Sequence, residues 1–233
     1  MKINQITSSL KRITFFGLMA TIVSVTAQAE DFKSLFNGED LVGWSGSSEL
    51  WSVKDGVIVG DTHPKGLKGK NLFLSTADSY SDFVLKLKVK MENGNSGVQF
   101  RATQKLDYVV TGYQADVADS SKPYFGMLYE EGGRGIMQYW KDMSDEERAA
   151  VKAAAKFDDW NEYVIICKGD HIKMVLNGHT VLDLFDPDGS KEGVVALQLH
   201  VGPAMRVFYK DIEIKEIEKL LDVNLKKLNP LKK

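Results

Sequence analysis

The chain has 233 residues, of which 30 are basic and 32 are acidic, with a formal net charge of -2. This balance argues against nucleic acid and anionic membrane surfaces as partners, because both require a basic face on the protein. The single cysteine, Cys167, excludes an internal disulfide, and its place in the apolar run Val164–Cys167 indicates a small buried hydrophobe rather than a reactive thiol.

The first 29 residues have the pattern of a cleavable signal peptide. Lys2, Lys11 and Arg12 form a basic start, the apolar run 13–25 follows, and small residues fill 26–29. The apolar run is too short for a membrane-spanning helix, which needs about 20 apolar residues. We therefore expect an exported protein, periplasmic or extracellular, that does not insert into a membrane after cleavage. The mature chain would carry 27 basic against 32 acidic residues, a net charge of -5, and its length suits one domain.

Beyond this segment, apolar residues alternate with polar ones, which predicts antiparallel strands. In chain order, the predicted strands are 51–53, 57–59, 83–91, 97–102, 108–117, 160–168, 172–176, 194–201 and 207–217. The strand 83–91 places its apolar residues on one face and three lysines on the other, as expected of a strand with one buried face. The pairs Asn93-Gly94, Gly169-Asp170 and Asn177-Gly178 predict tight turns, and each favours a hairpin return.

One segment breaks the strand pattern. A capping box at Ser144–Glu147, followed by helix-forming residues up to Lys156, predicts a short surface helix inserted between strands. Many strands with one minor helix indicate an all-β, two-sheet jelly-roll sandwich over residues 30–217. Parallel α/β folds are disfavoured because no helical crossovers separate the strands. Residues 218–233 are predicted to be a C-terminal tail, either helical or frayed.

Strand alternation also predicts which polar side chains point together, away from the core. Three strands each contribute two such residues: Gln99 and Arg101, Gln114 and Asp116, and Gln198 and His200. Neutral amides and forked donors suit the paired hydroxyl groups of a sugar. The alternative is an ordinary solvated sheet surface. The pattern does not give the strand order, so the three pairs need not be neighbours.

A second polar cluster lies in the segment 124–135, which we predict to be a glycine-rich loop. It contains Tyr129, the adjacent carboxylates Glu130 and Glu131, and Arg134 among four glycines. Glycine lets the backbone approach a ligand closely, and a carboxylate beside an aromatic ring can acquire a pKa suited to acid–base chemistry. A flexible hairpin loop with charged tips is the alternative. The sequence has no phosphate-binding loop, no paired-histidine metal motif and no nucleophilic serine elbow.

Ten short stretches, in order along nearly the whole mature chain, carry a family resemblance. They are Phe32–Gly38, Leu41–Trp44, Trp51–Gly56, Asn95–Arg101, Gly112–Asp116, Gly126–Glu130, Trp160–Tyr163, Leu176–Gly178, Gly193–His200 and Phe208–Ile212. Together they resemble the 3-keto-disaccharide hydrolase domain family, long described as a domain of unknown function. Each stretch alone is weak evidence for the family, but the ordered set of stretches is specific to it. In the last stretch the family often has Phe-Arg-Asn-Ile, which this chain lacks, so no site residue is assigned there.

The resemblance implies a concanavalin-like jelly roll with a sugar site on its concave sheet, and activity on glycosides already oxidised at C3. A base would remove the acidified C2 proton, and the C1 substituent would then be eliminated. We predict that Glu130 or Asp116 is the base, that Arg101 with Gln114 stabilises the oxyanion, and that His200 is an acid or orients the base. On this hypothesis Glu130→Gln and His200→Ala should each abolish turnover.

The remaining predictions concern the ligand and two alternative functions. The predicted substrate-binding residues are Gln99, Arg101, Gln114, Tyr129, Arg134, Trp140 and Gln198. No cofactor is predicted, because the ligand spacing of a metal site is missing, although an ion held by Asp116, Glu130 and His200 could polarise the ketone. The alternatives are direct hydrolysis by two carboxylates and a non-catalytic carbohydrate-binding module.

Overall fold

A computed structural model describes residues 32–122, 124–138 and 143–217 of the chain. The predicted signal peptide, the tail at 218–233 and Trp140 lie outside these residues. The described part forms fifteen strands and one helix, α1 (Asp145–Ala154), which follows the tenth strand. The strands are β1 (Lys33–Ser34), β2 (Trp44–Ser45), β3 (Trp51–Lys54), β4 (Val57–Asp61), β5 (Leu72–Tyr80), β6 (Phe83–Asn93), β7 (Asn95–Gln104), β8 (Val110–Ala118), β9 (Leu128–Glu131), β10 (Gly135–Gln138), β11 (Asn161–Lys168), β12 (His171–Leu176), β13 (His179–Phe185), β14 (Gly193–Leu199) and β15 (Arg206–Glu216). Within these ranges no helix has the length and apolar character needed to cross a membrane.

The strands form two antiparallel sheets that enclose one core. The eight-stranded sheet has the order β13-β12-β11-β6-β15-β4-β3, with β1 paired to β15. The seven-stranded sheet has the order β10-β9-β8-β7-β14-β5-β2. The predicted all-β jelly-roll sandwich with a short inserted helix is therefore confirmed.

The core is filled by the inward-facing apolar residues of both sheets. Phe83 and Leu87 of β6 are buried, and the lysines between the apolar residues of this strand are only half-buried. Phe83 and Leu87 belong to one hydrophobic cluster with Val98 and Phe100 of β7, which come from the opposite sheet. Full burial of such side chains contributes about 1.5–3 kcal/mol each, which explains why period-two alternation identifies the core face.

Two of the three predicted tight turns are hairpins. Gly169-Asp170 joins β11 to β12, and Asn177-Gly178 joins β12 to β13. Asn177 and Gly178 have φ of 48° and 83°, as a two-residue turn with two left-handed residues requires. The predicted hairpin at Asn93-Gly94 is wrong, because β6 and β7 belong to different sheets. Both edges of β6 are occupied by β11 and β15, so the chain turns at Gly94 and crosses to the other sheet.

Helix α1 begins where the sequence predicts. Ser144 Oγ accepts a hydrogen bond from the Glu147 amide at 3.2 Å, and Glu147 Oε2 accepts one from the Ser144 amide at 2.8 Å. This capping box satisfies two amide groups that have no partner within the helix. The helix buries Val151 and Ala154 and exposes most of its other residues.

The segment 124–135 is not a loop throughout, which corrects the prediction. It contains β9 and the start of β10, which form a hairpin with each other. Strand β9 also pairs with β8 and so extends the seven-stranded sheet. Leu128 is buried in the core. Alternation along β9 therefore puts Tyr129 and Glu131 on the outer face of the sheet, opposite the core.

Candidate active site

The polar residues predicted on separate strands meet on neighbouring strands. Strands β9, β8, β7 and β14 are consecutive in the seven-stranded sheet. Gln99 lies opposite Gln114, and Gln114 lies opposite Tyr129. The outer face of these strands carries a pocket of about 240 Å³, whose polar lining includes Gln114, Asp116, Tyr129, Glu131, Gln198 and His200. Five of these six are residues that the sequence predicted for the site.

A buried chain of amide hydrogen bonds leads to Asp116. Gln99 Nε2 donates to Gln114 Oε1 at 3.2 Å, and Gln114 Nε2 donates to Asp116 Oδ1 at 2.7 Å. Gln99 is buried and does not line the pocket, so it positions Gln114 rather than contacting a ligand. Gly97 is required here, because a Cβ at this position would lie 2.4 Å from Cγ and Cδ of Gln114.

Asp116 is poised between its two protonation states near neutral pH. Asp116 is only 5 % exposed to solvent. Burial raises the pKa of Asp116 to about 7, and the charge of Glu131 adds to this, against the opposing hydrogen bond from Gln114. A carboxyl group with such a pKa can donate a proton or a hydrogen bond at pH 7.

Glu131 lines the pocket, although the sequence pattern assigned it no role. Burial raises the pKa of Glu131, although a hydrogen bond from Asn71 and the nearby His200 both favour its ionised form. Asn71 Nδ2 lies 3.2 Å and 3.1 Å from the two carboxylate oxygens, and Gln198 Nε2 lies 3.3 Å from Oε2. The alternation that starts at Leu128 would have indicated Glu131, had the segment been interpreted as a strand.

His200 presents one ring nitrogen to the pocket as an acceptor. Its Nδ1 lies 2.5 Å from the carbonyl oxygen of Val201. Because a carbonyl only accepts, Nδ1 carries a proton in this contact, and in the neutral ring the lone pair therefore lies on Nε2. Asn71 Oδ1 accepts a hydrogen bond from the Val201 amide at 2.8 Å. Asn71 therefore connects the carboxylate of Glu131 to the turn that carries His200.

Glu130 and Arg134 lie on the other side of β9, which corrects their predicted place. Glu130 is paired in the sheet with Tyr113, a core residue. Its Oε2 lies 2.5 Å from Arg134 Nε, and Arg134 also pairs with Asp186 at 2.6 Å. The hydrogen bond from Arg134 lowers the pKa of Glu130. The structure thus contradicts the predicted convergence of Glu130 with Asp116 and His200, because adjacent residues of a strand face opposite ways.

The side chain of Arg101 does not lie on the outer face of the sheet, so the predicted position of Arg101 in the sugar site is wrong. Its φ is 47°, and the pairing of β7 with β8 shifts register after Phe100. The guanidinium is buried and donates to the carbonyl oxygens of Ser81 and Gly169, each at 2.7 Å, and to Asp82 Oδ1 at 2.9 Å. A bulge of this kind reverses the direction of the side chains that follow, and alternation alone does not reveal it.

Two pocket residues present buried acceptors that suit a hydroxylated ligand. Asn95 Oδ1 and Gln198 Oε1 have no hydrogen-bond partner among the described residues, and both residues line the pocket. Buried amide oxygens normally accept a hydrogen bond, so a ligand hydroxyl would satisfy each of them. Over the described ranges, no group of three or more His, Cys, Asp or Glu side chains is placed to hold a metal ion.

Comparisons with solved structures show the same fold. Two candidate glycosyl hydrolases from Parabacteroides distasonis match: one has 24 % identity and a TM-score of 0.56, covering 80 % of this chain and 100 % of its own. The other has 21 % identity and a TM-score of 0.58, covering 82 % and 95 %. The carbohydrate binding module CBM66 from Bacillus subtilis has 19 % identity and a TM-score of 0.54, covering 75 % and 96 %. At these identities the likeness concerns the fold alone.

A family model confirms the resemblance that the sequence motifs indicated. No curated protein matches the chain. The model of the 3-keto-alpha-glucoside-1,2-lyase-like domain matches residues 31–215, which is most of the chain. The chain therefore belongs to the 3-keto-alpha-glucoside-1,2-lyase-like domain family.

Proposed function

We propose that the protein cleaves glycosides whose sugar carries a ketone at C3, by eliminating the substituent at C1. One observation carries the proposal: Asp116, Glu131 and His200 line a single pocket together with amide side chains suited to sugar hydroxyls. Burial raises the pKa of both carboxyl groups, which supports acid–base chemistry at this place. The description of the family, which names a 1,2-lyase of 3-keto-alpha-glucosides, supports the same reaction.

The ketone makes this reaction accessible without a strong base. It acidifies the proton on C2, and removal of that proton places the electron pair in an enolate with its charge on the C3 oxygen. When the ketone forms again, the pair moves to a C1–C2 double bond and the C1–O bond breaks. The leaving oxygen takes a proton. Water that later adds across the double bond gives net hydrolysis.

His200 is the proposed base. The bond from Nδ1 to the Val201 carbonyl leaves the Nε2 lone pair free to take the C2 proton. The leaving oxygen on C1 takes its proton from water, and the imidazolium later releases the C2 proton to solvent. Glu131 supplies the negative charge that stabilises the imidazolium, since the two groups interact electrostatically.

Asp116 is the proposed donor to the enolate oxygen. Its raised pKa, about 7, keeps a substantial fraction protonated at neutral pH. A protonated carboxyl group in a dry site donates a strong hydrogen bond to a developing oxyanion. The amide chain from Gln99 through Gln114 holds Asp116 in one orientation. This role replaces the one predicted for Arg101.

The test is incubation of the mature chain with a 3-keto-disaccharide and with its unoxidised parent, each with and without a chelator. We expect release of the C1 substituent from the keto sugar alone, at a rate that the chelator does not change. Binding of both sugars without turnover would instead identify a carbohydrate-binding module. Cleavage of the parent would identify a hydrolase that uses two carboxylates, and loss of activity with the chelator would contradict a metal-free reaction.

We also propose that the protein is exported and acts outside the cytoplasm. The signal-like pattern of residues 1–29 supports this. Cell fractionation with N-terminal sequencing provides the test. We expect a mature chain that begins at Glu30 in the periplasm or the medium. A full-length chain confined to the cytoplasm would contradict the proposal.

A further inference from the structure

The outer face of the eight-stranded sheet, on the opposite side of the sandwich from the pocket, carries a row of lysines. Along β6 the outward side chains include Lys86, Lys88 and Lys90, which are partly buried. They project at every second residue, so successive lysines are about 7 Å apart along the strand. The neighbouring strand β15 adds Lys210, which lies opposite Lys88. Four lysines therefore lie together on one face of a chain whose net charge is -2.

Two aromatic rings hold the ammonium groups of Lys90 and Lys210. Phe208 lies opposite Lys90 on β15, and Trp160 directly precedes β11, the strand on the other side of β6. Lys90 Nζ lies 5.2 Å from the centre of the Phe208 ring and 5.7 Å from that of Trp160. Lys210 Nζ lies 4.3 Å from the centre of the Trp160 ring. Such contacts direct the lysine stem along an apolar surface and leave its charge in solvent.

The charges of Lys90 and Lys210 are not neutralised by an ion pair within the described residues. Lys88, in contrast, pairs with Asp211 at 2.9 Å. Because both ammonium groups lie beside the ring of Trp160, they are at most about 10 Å apart, a distance at which like charges repel each other. An anionic group bound near both lysines would relieve this repulsion. The two side chains therefore form a site that favours a negatively charged ligand.

A second pair of a lysine and a ring extends the site along β6. Lys86 lies four residues before Lys90, a distance of about 13 Å along the strand. Its Nζ lies 4.0 Å from the centre of the Phe32 ring. A small anion can contact only one of the two ends of this row. A linear polymer with a negative charge at intervals can contact both ends at once.

The rings on this face suit a sugar better than a membrane. Phe32, Trp160 and Phe208 are partly buried, and none of them is among the strongly exposed apolar side chains of the described residues. A membrane-binding face needs apolar side chains that enter the lipid. A sugar ring needs only a flush apolar surface for its C–H face. The rings therefore favour a polysaccharide as the polymer.

Charge density separates a polysaccharide from nucleic acid. Duplex DNA carries one charge per about 1.7 Å of its axis, and the net negative charge of the chain repels so dense a polyanion. A glycan with at most one charge on each sugar unit has a much lower charge density. Its charges can meet lysines that are about 7 Å apart without crowding onto the acidic remainder of the surface.

We propose that this face binds an anionic polysaccharide, in which carboxylate or sulfate groups contact the lysines and sugar C–H groups contact the rings. The surface, here called the lysine face, comprises Phe32, Lys86, Lys90, Trp160, Phe208 and Lys210. The core of the sandwich separates it from the pocket that contains Asp116 and His200. Binding there holds the protein on an acidic glycan and leaves the pocket open. The inference does not depend on the proposed reaction.

The test measures binding of the mature chain to three polysaccharides, by affinity electrophoresis and calorimetry. Polygalacturonate carries carboxylates, dextran sulfate carries sulfates and dextran carries no charge. The double variant Lys90→Gln/Lys210→Gln removes two charges and keeps side chains that cover the rings. Lys68→Gln/Lys105→Gln is the matched control, because it removes two charges from exposed lysines that lie outside the strands.

We expect the wild type to bind polygalacturonate, dextran sulfate or both, and to bind dextran far more weakly. The affinity should fall as salt is added, because exposed charges are screened. The Lys90→Gln/Lys210→Gln variant should bind about tenfold more weakly, and the control should change by less than about twofold. Binding of only one charged polymer would support the inference and identify its anionic group. Binding of neither, or an equal loss in the control, would overturn it.

Trp160→Leu distinguishes a sugar site from a merely charged surface. This variant keeps both lysines, and its affinity for the charged polymer should fall about fivefold because the ring is lost. Wild-type affinity in this variant would overturn the inference. So would tighter binding to phosphatidylglycerol vesicles or to single-stranded DNA that the lysine variant loses. The lysine variant should keep the wild-type kcat on a 3-keto-disaccharide, and the binding results hold even if no keto sugar is cleaved.

Discussion

Asn71 Nδ2 donates to Glu131 Oε2 at 3.1 Å, a contact between residues 60 positions apart in the chain. The same side chain accepts a hydrogen bond from the Val201 amide, beside His200. One amide group thus positions both the carboxylate and the histidine of the proposed site. Its donation to Glu131 also opposes the burial that raises the pKa of that carboxyl group.

Loss of this contact should change the pH dependence as well as the rate. In Asn71→Ala the pKa of Glu131 should rise further, because the hydrogen bond that lowers it is gone. Since Glu131 must be ionised to stabilise the imidazolium, the acidic limb of the kcat profile should move to higher pH. Assays of kcat from pH 4 to 9 measure this shift. A uniform loss of kcat with an unmoved acidic limb would indicate a merely structural role for Asn71.

The neighbours Glu131 and Glu130 provide a matched pair of variants. Glu131→Gln keeps the size of the side chain but removes its charge, so kcat should fall about 100-fold or more. Glu130→Gln should leave kcat within about threefold, because Glu130 faces Arg134 on the other side of β9. It should instead cost about 0.2–1 kcal/mol of stability, as expected for a partly exposed ion pair. Steady-state kinetics and thermal unfolding measure the two effects. A large loss of kcat in Glu130→Gln with little change in Glu131→Gln would instead support a catalytic role for Glu130.

Asp116 should make both activity and stability depend on pH. If its protonated form assists the reaction, kcat should decline as the pH rises through about 7, the raised pKa of this group. For stability, the folded pKa lies above the ordinary value of 3.8, so the folded state binds the proton more tightly. The resulting stabilisation is complete below about pH 4 and is lost as the pH rises through about 7.

Asp116→Asn removes this charge and should therefore be more stable than the wild type above pH 7. The margin should grow between pH 4 and 7 and reach at most about 4 kcal/mol, since one unit of pKa is about 1.4 kcal/mol. Urea unfolding at pH 5 and pH 8 measures the margin. A margin that is the same at the two pH values would mean that Asp116 ionises normally in the folded protein.

Arg101 should be important for stability rather than for catalysis. Its buried guanidinium pairs with Asp82 at 2.9 Å and donates to the Ser81 and Gly169 carbonyls. Arg101→Ala should lower the free energy of unfolding by about 3–5 kcal/mol, because it leaves a carboxylate and two carbonyl groups without their partner. The kcat of the folded fraction should change little. A loss of kcat above about 100-fold in a variant of normal stability would support the oxyanion role predicted from the sequence.

Strand alternation in the sequence determined the core of the protein and much of the site. It identified Phe83 and Leu87 as core residues because a pleated strand turns every second side chain to the same face. The same rule placed Gln114, Asp116 and Gln198 outward, where they line the pocket. The ordered motifs determined the family, since a set of short stretches in one order is specific even when each stretch is weak.

Only the tertiary structure decided which strands are neighbours and where the alternation is interrupted. Strand order depends on pairings between distant segments, such as β7 with β14, and local pattern carries no information about them. The bulge at Arg101 reversed a predicted side chain, since a shift of one residue exchanges the two faces. The segment predicted as a loop contains the strand Leu128–Glu131, whose alternation turns Glu130 inward and Glu131 toward the pocket. For that reason the sequence pointed to Glu130 and Arg101, whereas the fold brings Glu131 and Asn71 to the pocket beside Asp116 and His200.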